Sequence, residues 1–198
     1  QEAVRKAGLV VGKDVQFVNI ATTELADAVR SQQIDAFFMW DPWVALFEGA
    51  DMAHVISQDL SPSMLLQAST RTLDKRGDAI KRFLRAQSQA LLFAAQNHEL
   101  TNNWFRSVEP AKNIPIDVIE AASNFDTQWN ATKISDIKTA LSPESLAAMD
   151  KMGVWGVAEK LLPRAPKASE LANLELAQAV DKELATMDFD VKSVKVLA

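Results

Sequence analysis

The sequence predicts an α/β fold: a mainly parallel sheet with flanking helices, then a helix-rich C-terminal part. Three observations predict it. Before Thr70, short apolar runs alternate with helix-like segments, the rhythm of strands joined by crossover helices. The run Ala36-Phe37-Phe38-Met39 is wholly apolar, as in a strand covered on both faces. After Thr70 the runs lengthen to helical spacing, punctuated by Pro110, Pro115, Pro143, Pro163 and Pro166.

The elements follow in order. Residues 1 to about 7 read as the later turns of a helix that Gly8 stops. A chain opening in mid-helix is expected to lack upstream sequence. Val15-Gln16-Phe17-Val18 is a short strand. Thr22 or Thr23 caps a helix running through Arg30, with Glu24 and Asp27 near its positive end. After the Ala36–Met39 strand, Asp41 caps a helix that Pro42 begins, since proline fits the first helical position. Ala53 to Ile56 and Met64 to Ala68 read as further strands.

The helices then begin. Asp78 to Gln96 is long and amphipathic, with Ile80, Phe83, Leu84, Leu91 and Phe93 marking its buried side. Leu100–Val108, Ile116–Trp129, Ile134–Leu141, Glu144–Met152 and Glu170–Met187 follow. Ser142-Pro143-Glu144 is a helix start with serine at the cap. Leu161 to Ala168 is the most linker-like piece. Val191 to Leu197 is a last strand, with Val194 and Val196 alternating with Lys192 and Lys195.

Composition bounds the function. The chain has 198 residues, 48% of them hydrophobic and 24% charged, ordinary for a globular protein. A net charge of −5 and a pI near 5.1 argue against a nucleic-acid partner. Its apolar runs are too short to span a membrane. With no cysteine, disulfides and thiolate chemistry are excluded. His54 and His98 lack partners at metal-ligand spacing. No carboxylate pair of catalytic pattern, glycine-rich phosphate loop or Gly-x-Ser-x-Gly elbow is present. No catalytic residue, metal or cofactor is expected.

Three segments in order resemble a known family. They are Ala7-Gly8-Leu9 with Gly12-Lys13-Asp14-Val15, then Glu24 and Ala28-Val29 followed by Gln33-Ile34-Asp35-Ala36 running to Trp40-Asp41-Pro42, then the helix from Ile80 to Asn97. In this order they resemble the periplasmic solute-binding proteins of ABC importers, in the nitrate/sulfonate/taurine class. Of the three, the middle segment is specific. Gln32-Gln33 replaces the usual helix-ending glycine, a change that costs about 1 kcal/mol.

The resemblance implies a type II periplasmic-binding fold, a two-lobed clamp closing on its ligand by hinge motion. Residues 1–66 would be the second lobe, incomplete at its start. Residues 67–74 would be the hinge and 75–198 the C-terminal helical part of the first lobe. The N-terminal lobe segment would precede this chain. The implied ligand is a small anionic or zwitterionic solute such as a sulfonate, taurine or nitrate. The implied partners are ABC permease transmembrane subunits, and the implied location is periplasmic or otherwise extracytoplasmic.

Four residues are candidate ligand contacts. Trp40 walls or stacks on the ligand, or fills the lobe core. Asp41 pairs with a ligand ammonium, caps the following helix, or does both. Thr22 and Thr23, at the preceding turn, hold an oxyanion with hydroxyl and N–H groups, or simply cap. Trp43 suits packing better. Trp104, Trp129 and Trp155 are expected in the core. Two other classes share the fold. A transcription regulator's effector domain would need an upstream helix-turn-helix and keeps alternating strands where this chain turns helical. A pyrimidine-precursor enzyme would need cysteines that this chain lacks.

Overall fold

A computed structural model describes residues 2–57, 65–108, 111–124 and 126–196. The chain divides into two compact units, residues 1–54 and 55–198.

Among the described residues the first unit holds three helices: α1 (Glu2–Lys6), α2 (Thr22–Arg30) and α3 (Trp43–Gly49). Gly8 ends the α1 region with φ +75, the left-handed conformation that glycine adopts freely. Leu25 and Ala28, three residues apart on α2, are buried, as is Phe47 on α3. The Phe37 ring packs tilted on Phe47, centroids 4.8 Å apart.

The second unit is built on α4 (Thr70–Gln96), α5 (His98–Arg106), α6 (Ile116–Ser123), α7 (Pro143–Ala158), α8 (Ala168–Leu171) and α9 (Leu174–Thr186). Ser69 caps α4 by accepting from Thr72 N–H at 3.2 Å. A kink at Arg76 leaves the long amphipathic stretch starting where its sequence pattern begins. Leu92 and Ala95 of α4 meet Val180 and Leu184 of α9, with Ala131, Ile134 and Ile137 completing the core.

The expected parallel sheet is absent among the described residues. Among the described residues the β-pairing is one isolated bridge, Val11 to Val15. Val15–Val18, Ala36–Met39, Ala53–Ile56 and the described part of Met64–Ala68 form no ladder; Met64 itself lies outside the described residues. The two-lobed, mainly parallel α/β reading is therefore overturned. The physical reason lies in what an apolar run can tell. A buried parallel strand reads as continuous apolar sequence, but a strand exists only where a neighbour takes its N–H and C=O groups. Here those runs form no ladder with one another, and much of their apolar surface is open to solvent: Val18 is 63% exposed, Phe38 88% and Ile56 90%.

Other elements shift more locally. Val191–Leu197 is a single 3-10 turn at Val191–Ser193 followed by unpaired chain, and Leu197 is outside the described residues. Ile116–Trp129 stops at Ser123, and Asp126 caps a separate 3-10 turn by accepting from Gln128 N–H at 2.8 Å. Ile134–Leu141 shrinks to one 3-10 turn at Ile134–Asp136, after which Asp181 takes the Thr139 N–H at 2.7 Å and the Ala140 N–H at 3.2 Å. Those two donors would otherwise extend a helix. Asn173 caps α9 and so divides Glu170–Met187. The linker-like Leu161–Ala168 is pinned to α7: Leu161 N–H donates to Gly156 O, and Ala168 N–H to Asp150.

On α4 the buried stripe is Ser88, Leu92 and Ala95, with Leu84 and Leu91 packed beside it. Phe83, expected inside, is 53% exposed.

Candidate functional site

The expected ligand contacts all lie in the first unit, on the turns that begin α2 and α3. Before α3 the chain runs without regular structure through Met39 and then turns. Trp43 N–H donates to Trp40 O at 3.2 Å, closing that turn. The Trp40 side chain is exposed rather than folded into a core. Asp41 is half-buried, and its Oδ1 accepts from Ala45 N–H at 3.2 Å. The N-cap position of α3 is Pro42, so Asp41 caps from one residue further out than the sequence suggests. The geometry still satisfies a first-turn donor that the helix leaves unpaired. Asp41 Oδ2 makes no hydrogen bond or ion pair to any described residue.

An exposed indole thus stands beside a carboxylate with one oxygen committed to the backbone and one available. Chemically this pair can accept a hydrogen bond or an ammonium on the carboxylate and offer a flat apolar face.

The threonines do not cap. The N-cap of α2 is Ala21, whose backbone is extended (φ −64, ψ 142), with no side-chain bond to the first turn. Thr22 and Thr23 are the first two helical residues, both exposed. Because the cap is an alanine, their N–H groups are not engaged by a capping side chain. Glu24 in the same turn complements the dipole from within the helix. Among the described residues no hydrogen bond or ring contact joins Thr22 or Thr23 to Trp40 or Asp41. The two turns are separate features of one unit.

Elsewhere, Trp104 and Trp155 are 44% and 42% exposed, which corrects their expected place in the core. Trp129 is half-buried, with its ring stacked on His98 at 4.4 Å and its carbonyl 2.9 Å from His98 Nε2. This pair borders a polar pocket of about 360 Å³ that includes Glu99, Asn102 and Glu120. Sequence reading missed it because His98 and Trp129 are 31 residues apart and follow no motif. Among the described residues no three His, Asp or Glu side chains gather as a metal site. No helix there is long and apolar enough to cross a membrane.

A family model described as the NMT1-like family matches residues 1–104. That span contains Thr22, Thr23, Trp40 and Asp41. No curated protein matches the chain, and no solved structure does.

Proposed function

The chain belongs to the NMT1-like family, and on that premise we propose that it is the solute-binding component of an ABC importer. The family is related to nitrate/sulfonate/taurine-binding periplasmic proteins. The solute on this reading is small and anionic or zwitterionic, and it is handed unchanged to permease subunits outside the cytoplasm. The family match over the Trp40-Asp41 turn is the observation that carries the reading.

The chemistry of that turn supports a zwitterion. Asp41 Oδ2 suits an ammonium, and the exposed Trp40 face suits the short carbon chain behind it. An aminosulfonate such as taurine has both. The free N–H groups at the start of α2 suit an oxyanion, so Thr22 and Thr23 are a second candidate contact, apart from the Trp40–Asp41 turn, for an anionic group.

Thermal unfolding with a panel of taurine, methanesulfonate and nitrate tests the proposal. A ligand bound by the folded state alone stabilises it by about 2.7 kcal/mol at a hundred times its Kd. A rise in melting temperature with at least one of the three, growing with concentration, is expected. A melting temperature indifferent to all three contradicts the reading.

A further inference from the structure

The second unit carries a concavity of a different chemistry. It lies between α4, α5 and the chain after α9, and holds about 710 Å³. That is within the range of sites that take small organic molecules, roughly 300–1,000 Å³. Phe93 and Trp104 line it together, rings nearly parallel with centroids 6.0 Å apart. Phe189, Val194 and Val196 form the facing wall. Trp104, Val194 and Val196 each keep more than a third of their surface in solvent, so a ligand entering the space would cover apolar area that water now covers.

Among the described residues lining this space Lys195 is the one charged side chain, and none is acidic. Lys195 is exposed and makes no ion pair with any described residue. Apolar walls with the Lys195 ammonium at the edge are complementary to a molecule with an apolar body and one anionic head. A membrane surface would call for a cluster of several basic residues, and a single lysine does not supply it.

We propose that this concavity is a binding site for a free amphipathic organic anion, an aromatic or aliphatic carboxylate or its like. The body lies against Trp104, Val194 and Val196, and the head pairs with Lys195. This site is separate from the Trp40–Asp41 turn, and the inference does not rest on the reading given for that turn.

Titration calorimetry of the full chain with 2-naphthoate tests it. The neutral 2-naphthalenemethanol serves as the uncharged comparison, and circular dichroism checks each variant's helicity. Saturable binding is expected, weaker for the alcohol. Lys195→Ala should weaken 2-naphthoate by about threefold to fivefold, the scale of an exposed ion pair, and reduce the salt dependence. It should leave the alcohol unaffected. Trp104→Ala should weaken both ligands. Any of four results overturns the proposal: no saturable heat, equal affinity for acid and alcohol, indifference to Lys195→Ala, or retention on phosphatidylglycerol vesicles with no binding of free 2-naphthoate. Loss of binding in Trp40→Ala with Lys195→Ala unaffected would also overturn it, by placing the ligand in the other unit.

Discussion

Gln32 sits where α2 has ended, at φ 55, a conformation that favours glycine. The next residue closes the helix: Gln33 N–H donates to Ala28 O at 3.0 Å, as Gln32 N–H does to Val29 O at 3.1 Å. This is the helix-ending pattern in which glycine normally takes the left-handed place. The sequence shows the departure, and the backbone shows its consequence. Gln32→Gly is expected to stabilise the protein by about 0.5–1 kcal/mol, read as a higher urea midpoint at unchanged slope. A lower midpoint would mean that the Gln32 side chain contributes more than the strain it brings. Asp136 offers a second single-residue test. Its Oδ2 accepts from Thr132 N–H at 3.0 Å, Thr132 Oγ1 at 3.1 Å and Lys133 N–H at 3.1 Å. These bonds, the Thr132 backbone bond foremost, favour the charged form and hold its pKa below the ordinary 3.8. A carboxyl depressed on folding adds stability that is fully present above its unfolded value and lost as pH falls through the folded one. Asp136→Asn should therefore lower the melting temperature at neutral pH. The gap from wild type should close as the pH is taken below 3.8. A gap of constant size across that range contradicts the assignment.

At the scale of elements, helix ends were legible because their signals are local. Ser142 accepts from Ser145 N–H at 3.1 Å with Pro143 opening α7, as the triplet predicts. Gly8 stops the first helix, and α2 ends at Arg30. The Trp40-Asp41-Pro42 turn into α3 was also readable, within one residue at the cap. Strands were not, because their existence depends on a partner that no local pattern reveals. The helical stretch beyond Ile134 failed for a related reason. Its backbone donors are captured by Asp181, 42 residues from Thr139. Phe38 gives this correction a direct test. In a sheet covered on both faces, replacing it with serine would cost about 3 kcal/mol or more. At 88% exposure, Phe38→Ser is expected to change stability by no more than about 0.5 kcal/mol, measured by urea unfolding. A large loss would restore Phe38 to a packed strand.

For the whole molecule, family membership and the exposed Trp40–Asp41 pair point the same way. The family match spans the first unit and extends into α5, so the proposed contacts lie inside the part of the chain whose kinship is shown. Their candidacy rests on the Trp-Asp-Pro turn of the sequence. The capping oxygen of Asp41 was also foreseeable; its free second oxygen was not, since that depends on which groups the fold brings near. The concavity lined by Phe93, Trp104 and Lys195 escaped the sequence altogether, being assembled from segments about ninety residues apart. On the proposed function the Trp40–Asp41 turn binds a small zwitterionic solute. Titration calorimetry of taurine and methanesulfonate into the wild-type chain and Asp41→Asn tests it most directly. Saturable heat with taurine is expected, weakened at least about tenfold in the variant, as removal of a charge-assisted contact would produce. Methanesulfonate, which carries no ammonium, should respond to the variant far less. Absence of taurine binding, or equal affinity in wild type and Asp41→Asn, would contradict it.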